Sequence, residues 1–319
     1  MNRKTNRQTG TAALCLATAL GLCAATATAE DWYPSKYGAD DTIGAANNLS
    51  ADAVKNAAGL VKLGKTYALG VPTGPDTPAY PPRWYHMTVL QLGASDGATS
   101  GSNKATSYDD LLTTYMGIGS QIDGLGHMGV DHVYYNGTKA SEFAGPAGLT
   151  KFSTHEIPPI VSRGVLLDMT RQFDANPVPA GTAFNRKEID AAAKRAGVTI
   201  GKGDVVLFHT GWLAKAETDP DNFIAQQPGL GLEGARYLAG LGVVAVGADT
   251  AALEAIPPED PEMAFPVHAE LLAKNGVYIL EVMNTTDLAA DGATEFLFVL
   301  GQPRFVGSVQ AIINPIAIR

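Results

Sequence analysis

The densest group of polar residues in this sequence is a short segment that ends in a histidine. It reads Ser120-Gln121-Ile122-Asp123-Gly124-Leu125-Gly126-His127. On a β-strand, Gln121 and Asp123 project from the same face, and the glycines that follow allow a sharp turn that can bring His127 over that face. Two oxygen ligands and an imidazole suit a divalent metal ion. The same pattern also fits a polar loop in which Asp123 caps a turn and His127 lies on the surface.

A second candidate group joins a histidine and a glutamate through a helix and a strand. His268 begins an apolar segment, Gly276 interrupts it, and the apolar run 277–280 then leads to Glu281. A helix of about eight residues rises roughly 12 Å, and the returning strand covers about 13–17 Å, so Glu281 can come back beside His268. A buried carboxylate is costly unless it is paired or bound to a metal. The alternative is a glutamate at the rim of the sheet that pairs with a lysine or an arginine.

The other histidines and the tryptophans supply candidates for a substrate pocket. The chain has six histidines. His209 follows a buried apolar run at 205–208, and His86 lies in the aromatic patch Trp84-Tyr85-His86-Met87. The residues that we expect to line a pocket for an unsaturated or aromatic ring are Trp84, Tyr85, His86, His209 and Trp212. Core packing explains the two histidines of this set equally well.

The N-terminus has the order of residues that is typical of a secretory signal peptide. Three basic residues precede an apolar run at 11–25, and the small residues Ala27-Thr28-Ala29 follow. We therefore expect residues 1–29 to be a signal peptide that is cleaved after Ala29. Residues 30–319 would then form a secreted or periplasmic mature protein. An uncleaved membrane anchor is the alternative, although the run is short for a span of about 20 residues.

The composition of the mature chain limits both its cysteine chemistry and its binding partners. Both cysteines, Cys15 and Cys23, lie inside the expected signal peptide, so the mature chain has no disulfide and no thiolate ligand. Loss of three basic residues and no acid leaves 20 basic against 32 acidic residues, a net charge of −12 instead of −9. Such an acidic surface disfavours nucleic acid and anionic membranes. We expect a small-molecule substrate, and no membrane association after signal cleavage.

The apolar patterning predicts an α/β fold with a mixed sheet and a single catalytic domain. Helices are predicted at Arg186–Ala196 and Leu232–Leu241, each followed by a glycine that can end it. A helix is also predicted from the N-cap Ser50 to about Lys62, with a strand near 66–70. Loops are predicted at 71–83 and 93–108. Short apolar runs predict buried strands at 165–167, 205–208, 243–246, 277–280 and 296–300.

These segments resemble the cyclase family of metal-dependent hydrolases, which includes kynurenine formamidases, isatin hydrolases and trans-dienelactone hydrolases. The family signature is H-x-G-T-H-x-D-x-P-x-H, and residues 117–127 correspond to it. Asp123 and His127 match the signature. Gly117 and Gln121 stand in place of its first two histidines, and Leu125 replaces its proline, as in an S-Q-x-D-G-x-G-H branch. Further matches lie at 164–168, 203–206, 210–212, 247–250, 266–272, 280–281 and 314–315.

The resemblance implies a swivelling β/β/α domain with a metal at the edge of the sheet. It assigns His127 as the acid/base residue. The metal ligands that it implies are Asp123, His268, Glu281 and, through an amide oxygen, Gln121. Because both early histidines are replaced, it implies one divalent ion, zinc or manganese. It also implies a homo-oligomer, either a dimer or a tetramer.

The reaction that follows from this assignment is hydrolysis of an amide or ester carbonyl. Metal-activated water attacks the carbonyl, and His127 takes the proton and returns it to the leaving group. The substrate is expected to be a cyclic lactone, lactam or imide, or an N-formyl aromatic amine. One alternative is a non-catalytic periplasmic protein that binds a small ligand or a metal, which would need no base such as His127. The other is a metal-assisted dehydratase or cyclase.

Overall fold

The computed structural model describes residues 1, 32–91 and 99–319, so the expected signal peptide lies almost entirely outside the described residues. Trp32–Arg319 forms one unit. The strands are β1 (Thr66–Ala68), β2 (Tyr85–Gln91), β3 (Tyr108–Thr114), β4 (Gln121–Asp123), β5 (Ala144–Gly145), β6 (Gly148–Leu149), β7 (Ile160–Asp168), β8 (Ala183–Phe184), β9 (Val205–His209), β10 (Gly229–Leu230), β11 (Ala245–Ala248), β12 (Tyr278–Glu281), β13 (Glu295–Leu300), β14 (Gln310–Ile312) and β15 (Ile316–Ile318).

The helices are short and lie mostly in the second half of the chain. The α-helices are α1 (Ala51–Ala58), α2 (Ala140–Phe143), α3 (Met169–Phe173), α4 (Arg186–Ala196), α5 (Lys215–Thr218), α6 (Pro220–Ala225), α7 (Leu232–Leu241), α8 (Pro266–His268) and α9 (Thr286–Ala290). A π-helical segment, Ala269–Lys274, continues α8. The 3₁₀ turns are Gly44–Asn48, Tyr135–Gly137, Thr154–Glu156 and Trp212–Ala214. Among the described residues, no helix has the length and apolar character that crossing a membrane requires.

One mixed sheet of nine strands organises the described part of the chain, in the order β1-β15-β13-β7-β9-β11-β12-β4-β14. Its centre is parallel, because β7, β9, β11 and β12 run in one direction. Strand β4 is antiparallel to both β12 and β14. The predicted α/β class with a mixed sheet is therefore confirmed, and the buried apolar runs form its central strands.

Local signals placed several helices accurately. Helices α4 and α7 have the predicted bounds, and both end where Gly197 and Gly242 adopt positive φ angles of 71° and 81°. Helix α1 starts after Ser50, whose side chain accepts a hydrogen bond from the Ala53 N–H. It ends at Ala58 rather than near Lys62, because the N–H groups of Leu60 and Val61 bond three residues back in tightened turns.

The predicted return from helix to strand is present and sets up the site. From His268 the chain continues through the π-helical segment, turns at Gly276, where φ is 65°, and returns as β12. Strand β12 pairs with β4 in a register that places Glu281 opposite Gln121 and Ile279 opposite Asp123. The two groups of polar residues that the sequence separates by about 140 positions are thus brought to neighbouring strands.

Candidate metal centre

Strand β4 presents polar side chains to both of its neighbours in the sheet. Gln121 lies opposite Glu281 of β12, and Asp123 lies opposite Gln310 of β14. Residues that are opposite each other in a ladder share a face of the sheet. All four side chains are buried, and Asp123 is completely inaccessible to solvent. A surface loop, the alternative interpretation of the Asp123 segment, is therefore inconsistent with the structure.

Two glutamines hold the carboxylates of this face. Gln310 Nε2 donates to Asp123 Oδ1 at 2.7 Å, and Gln121 Nε2 donates to Glu281 Oε2 at 2.5 Å. Gln121 therefore points its amide nitrogen at the carboxylates and joins β4 to β12. Its expected role as an amide-oxygen ligand stays a prediction, because that role requires the oxygen to face the ion.

His268 comes back to the same face through α8. Its Nε2 lies 3.1 Å from Glu281 Oε1 and 3.5 Å from Asp123 Oδ2. Glu281 is buried, and its hydrogen-bond partners are His268 and Gln121. In the ranges that the structure describes, no lysine or arginine forms an ion pair with it. The alternative of a rim glutamate paired with a basic residue is wrong.

Glu254 completes the surroundings of His268, although its role was not predicted from the sequence. Its Oε1 accepts the Nδ1–H of His268 at 2.5 Å, and its two oxygens accept the backbone N–H groups of Val267 and His268, each at 3.2 Å. A histidine that donates from Nδ1 keeps the Nε2 lone pair for a metal. The available signal was a lone acid in the apolar run 251–256, the same argument that identified Glu281.

The donor atoms fit a divalent ion. Ligand atoms of Asp123, His127 and His268 all lie within 4.8 Å of one another, and the two imidazole rings are 6.1 Å apart. Asp123 Oδ2 is buried and has no hydrogen-bond partner among the described atoms. A buried carboxylate oxygen without a partner is costly, and a cation removes that cost. His127 reaches this position through a turn in which its N–H donates to Gly124 O, and it is close enough to act as a ligand or as a base.

Burial and mutual repulsion change the acidities within the cluster. Burial, together with the negative charge of Asp123, raises the pKa of Glu281 to about 7. Burial would also raise the pKa of Asp123, but His127 and His268 outweigh it and hold that pKa below its ordinary value. Burial lowers the pKa of His127. The negative charge of Asp123 raises this pKa, but the positive charges of His268 and Arg83 lower it further, and the net shift is downward. His127 is therefore neutral at pH 7 and able to accept a proton.

The aromatic patch that was expected to line a pocket lies at the start of an exposed hairpin. Trp84 packs edge-to-face on Tyr115 at 6.2 Å, and its side chain is 49% exposed. His86 is exposed and its Nε2 contacts Thr88 Oγ1, whereas Tyr85 is half-buried. The structure does not bring these three residues into contact with the cluster. Their role in substrate binding stays a prediction.

His209 and Trp212 lie in the interior. His209 Nδ1 is 2.8 Å from Thr285 Oγ1 and 3.4 Å from Asp249 Oδ2. Trp212 packs in a small apolar cluster with Phe223, and its indole N–H donates to Phe223 O. These are the contacts of packed core side chains, so the structure adds no support for a pocket role, and that role also stays a prediction.

An open cleft lies beside the end of β12. Its volume is about 990 Å³, which is large enough for a small organic substrate. Val282, the residue that follows Glu281, forms part of its wall. The rest of its lining comes from the proline-rich loop 71–78 and from Leu213, Ala214, Ala216, Glu217, Pro220, Phe223, Asn284, Thr286 and Asp287.

Fold and site together define an α/β protein with a candidate divalent-metal centre built from buried carboxylates and imidazoles on one sheet. Residues 67–255 match the family described as "Putative cyclase", and the chain belongs to this family. A crystal structure described as a novel cyclase superposes with a TM-score of 0.81 and 28% identity, over 91% of this chain and 99% of its own.

Isatin hydrolases share the fold at lower identity. Isatin hydrolase A from Ralstonia solanacearum superposes with a TM-score of 0.62 and 19% identity, over 84% of this chain and 96% of its own. Isatin hydrolase A from Labrenzia aggregata, bound to benzyl benzoate, superposes with a TM-score of 0.59 and 20% identity, over 82% of this chain and 94% of its own. A comparison with curated protein sequences found no match.

Proposed function

We propose that this protein is a metal-dependent hydrolase of amide or ester carbonyls. The observation that carries the proposal is the buried, unpartnered Asp123 Oδ2 beside the Nε2 of His268 and the ring of His127. Membership of the cyclase family and the fold shared with isatin hydrolases support it. The substrates proposed are cyclic lactones, lactams or imides, or N-formyl aromatic amines.

The residues of the cluster divide the work between holding an ion and moving a proton. Asp123, His268 and Glu281, with Gln121, would hold one zinc or manganese ion. When bound, such an ion supplies a Lewis acid that polarises the carbonyl and lowers the pKa of water. His127 accepts a proton from the attacking water at a ring nitrogen and returns it to the leaving nitrogen or oxygen.

Single substitutions separate the ligands from the base. Asp123→Ala, His268→Ala and Glu281→Ala should each lose the metal, because each removes a ligand. His127→Asn should keep about one ion per chain and lose turnover by about 10²–10⁴-fold, the usual contribution of general acid–base catalysis. Elemental analysis measures the metal. Hydrolysis of lactones, cyclic imides and N-formyl aromatic amines measures turnover.

A control histidine and two contrary outcomes make this test decisive. His132→Asn changes an exposed histidine at a positive φ of 61°, which asparagine tolerates, and should alter neither quantity. A metal-free His127→Asn protein would show that His127 is a ligand. Wild-type turnover in the metal-loaded variant would exclude it as the base and leave Glu281 and His209 as the next candidates. Two stoichiometric ions per chain would contradict the single-metal proposal.

We also propose that the chain is exported and assembles as a homo-oligomer. The basic, apolar and small-residue order of residues 1–29 supports export with cleavage after Ala29. The mass of the protein in a periplasmic fraction should be that of residues 30–319, and a full-length mass there would contradict cleavage. The homo-oligomer rests on the family resemblance, and a monomer mass by light scattering would contradict it.

A further inference from the structure

Arg83 places a fixed positive charge beside the metal centre. Its Nη1 donates to Gly117 O at 2.6 Å. The guanidinium fills the space in front of Gly117, where an added Cβ would lie 2.7 Å from Arg83 Cζ and 2.8 Å from Gln310 Oε1. Gln310 in turn binds Asp123 at 2.7 Å. One side chain therefore separates the guanidinium from a candidate metal ligand.

This arginine lacks the partner that an arginine near an acidic cluster usually has. Across residues 32–91 and 99–319, no carboxylate lies within ion-pair distance of Arg83. Its charge nevertheless acts on the cluster. Burial is the main cause of the lowered pKa of His127, and Arg83 contributes to it, while Arg83 opposes the burial-driven rise in the pKa of Glu281. Its other N–H groups have no hydrogen-bond partner among the described residues.

Tyr80 adds a hydroxyl group to the same place. The guanidinium of Arg83 lies 5.9 Å from the centre of its ring. Phe265 packs edge-to-face on both Tyr80 and His268, with ring centres 6.5 and 5.6 Å apart, so one side chain separates the tyrosine from a candidate metal ligand. Its Oη is buried and has no hydrogen-bond partner among the described atoms. Burial, reinforced by Glu281 and Glu254, raises the pKa of Tyr80, so the hydroxyl is protonated and can donate.

A second arginine–tyrosine pair in this chain shows which group such a pair binds. The guanidinium of Arg186 lies 4.9 Å from the ring centre of Tyr237. There Tyr237 Oη donates to Asp190 Oδ1 at 2.6 Å, and Arg186 Nε lies 3.5 Å from Asp190 Oδ2. One carboxylate thus satisfies both donors. At the Arg83–Tyr80 pair the donors are the same, but the described residues supply no carboxylate.

We propose that Arg83 and Tyr80 bind a carboxylate of the substrate beside the metal centre. This inference rests on the proposed function and narrows its substrate class to amides or esters that carry a carboxylate near the scissile carbonyl. An anion that approaches this site meets the buried acids of the cluster, and Arg83 offsets their repulsion. A guanidinium and a hydroxyl together also fix the orientation of a planar carboxylate.

Binding of a matched pair of probes tests the proposal without any turnover. The probes are 4-fluorobenzoate and the neutral 4-fluorobenzamide, titrated into metal-loaded protein and followed by ¹⁹F NMR. The wild type should prefer the anion. Arg83→Gln should weaken benzoate binding about tenfold to a hundredfold, the usual value of a hydrogen bond to a charged group, and Tyr80→Phe should weaken it less. Both variants should weaken benzamide binding less than benzoate binding, and both should keep about one metal ion per chain.

The second pair supplies matched controls. Arg186→Gln and Tyr237→Phe should leave benzoate binding at the wild-type value. Arg83→Lys keeps the charge and should retain part of the preference, which distinguishes loss of charge from loss of fold. Equal affinity of the wild type for both probes, or wild-type benzoate binding in Arg83→Gln, would overturn the proposal.

Turnover of a second matched pair separates this proposal from the proposed function. The ratio of kcat/KM for 2-formamidobenzoate to that for neutral formanilide should fall in Arg83→Gln. An equal fall for both compounds would overturn a carboxylate site. If the wild type hydrolyses neither compound but binds benzoate through Arg83, the hydrolase proposal fails for these substrates and the anion site stands.

Discussion

His268 has a carboxylate at each of its ring nitrogens, and the two carboxylates have different consequences. Glu281 faces Nε2 on the side of the candidate metal centre, and Glu254 accepts the proton of Nδ1. Hydrogen bonds from Val267 and His268 main-chain N–H groups hold the Glu254 carboxylate in place. Glu254 therefore selects the tautomer and the ring orientation in which Nε2 can bind a metal.

Replacement of Glu254 tests this role. Glu254→Gln keeps the shape but weakens the acceptor, so we expect metal affinity to fall by about 10–100-fold, as for other partners of metal-binding histidines. Competition with a chromophoric chelator measures the affinity. Glu262→Gln, an exposed acid in the same region, is the control and should bind as the wild type does. Unchanged affinity in Glu254→Gln would mean that the backbone alone orients His268.

Residues of the site differ in how far a sequence pattern could reveal them. Asp123, His127, His268 and Glu281 are recognisable because their chemistry is concentrated in short segments with regular spacing. Gln310 is not, because it reaches Asp123 through the pairing of β14 with β4, 187 positions apart in sequence. No local periodicity encodes such a register. Arg83 and Tyr80 likewise become meaningful only through tertiary contacts, whereas the lone acid Glu254 in the apolar run 251–256 did carry a local signal.

At the scale of elements, the turn between the π-helical segment and β12 decides whether Glu281 meets His268. Gly276 adopts a φ of 65°, and a Cβ there would lie 2.6 Å from the ring of Tyr135 and 2.8 Å from the Cα of Gly44. Both the conformation and the close approach require glycine. The turn is thus fixed by packing against a segment more than 130 residues earlier in the chain.

A pair of glycine substitutions separates conformational strain from steric overlap. Gly276→Ala should lower the free energy of unfolding by about 2–4 kcal/mol, because both costs apply. Gly292→Ala has a similar φ of 62° and open space around its Cβ, so it should lose only about 1 kcal/mol. Urea unfolding of the metal-free proteins measures both values. Equal losses would show that the contact with Tyr135 yields without cost.

Elements were predictable where local chemistry defines their ends. Helices α4 and α7 have a glycine at the C-terminus and regular apolar spacing, and their bounds were predicted correctly. Strand β11 begins at Ala245 rather than at Val243. An apolar run indicates which residues are buried, but it does not show where pairing with the neighbouring strand begins. The β2–β3 hairpin was missed. Its apolar residues, such as Val89 and Leu111, are exposed, so burial-based patterning does not indicate a strand there.

For the whole molecule, the buried charges of the cluster couple stability to pH. The pKa of Glu281 is raised from 4.5 to about 7, chiefly by burial. Burial opposes a raised pKa in His268, but the nearby Asp123 carboxylate and the hydrogen bonds to Glu254 and Glu281 prevail and hold it well above 6.5. As pH rises above the ordinary pKa values of 4.5 for Glu281 and 6.5 for His268, the unfolded chain releases the protons of these two groups. The metal-free folded protein keeps them. Above about pH 6.5 these two groups make stability decrease with rising pH, whereas below it the lowered pKa of His127 acts in the opposite direction.

A bound metal ion should oppose this dependence, because an ion and a proton compete for the same carboxylate and imidazole atoms. We expect the Tm of the metal-free protein to fall between about pH 6.5 and 8, and the increase in Tm caused by added zinc or manganese to grow from about pH 5.5 to 8. The lowered pKa of Asp123 acts only below pH 4 and does not enter this window. Thermal unfolding with and without metal, at constant ionic strength, measures both trends.

Asp123→Ala is the control, since a protein that cannot hold the ion should show no metal-dependent increase in Tm at any pH. A metal effect of constant size from pH 5.5 to 8 would mean that the ion binds elsewhere, away from Glu281 and His268.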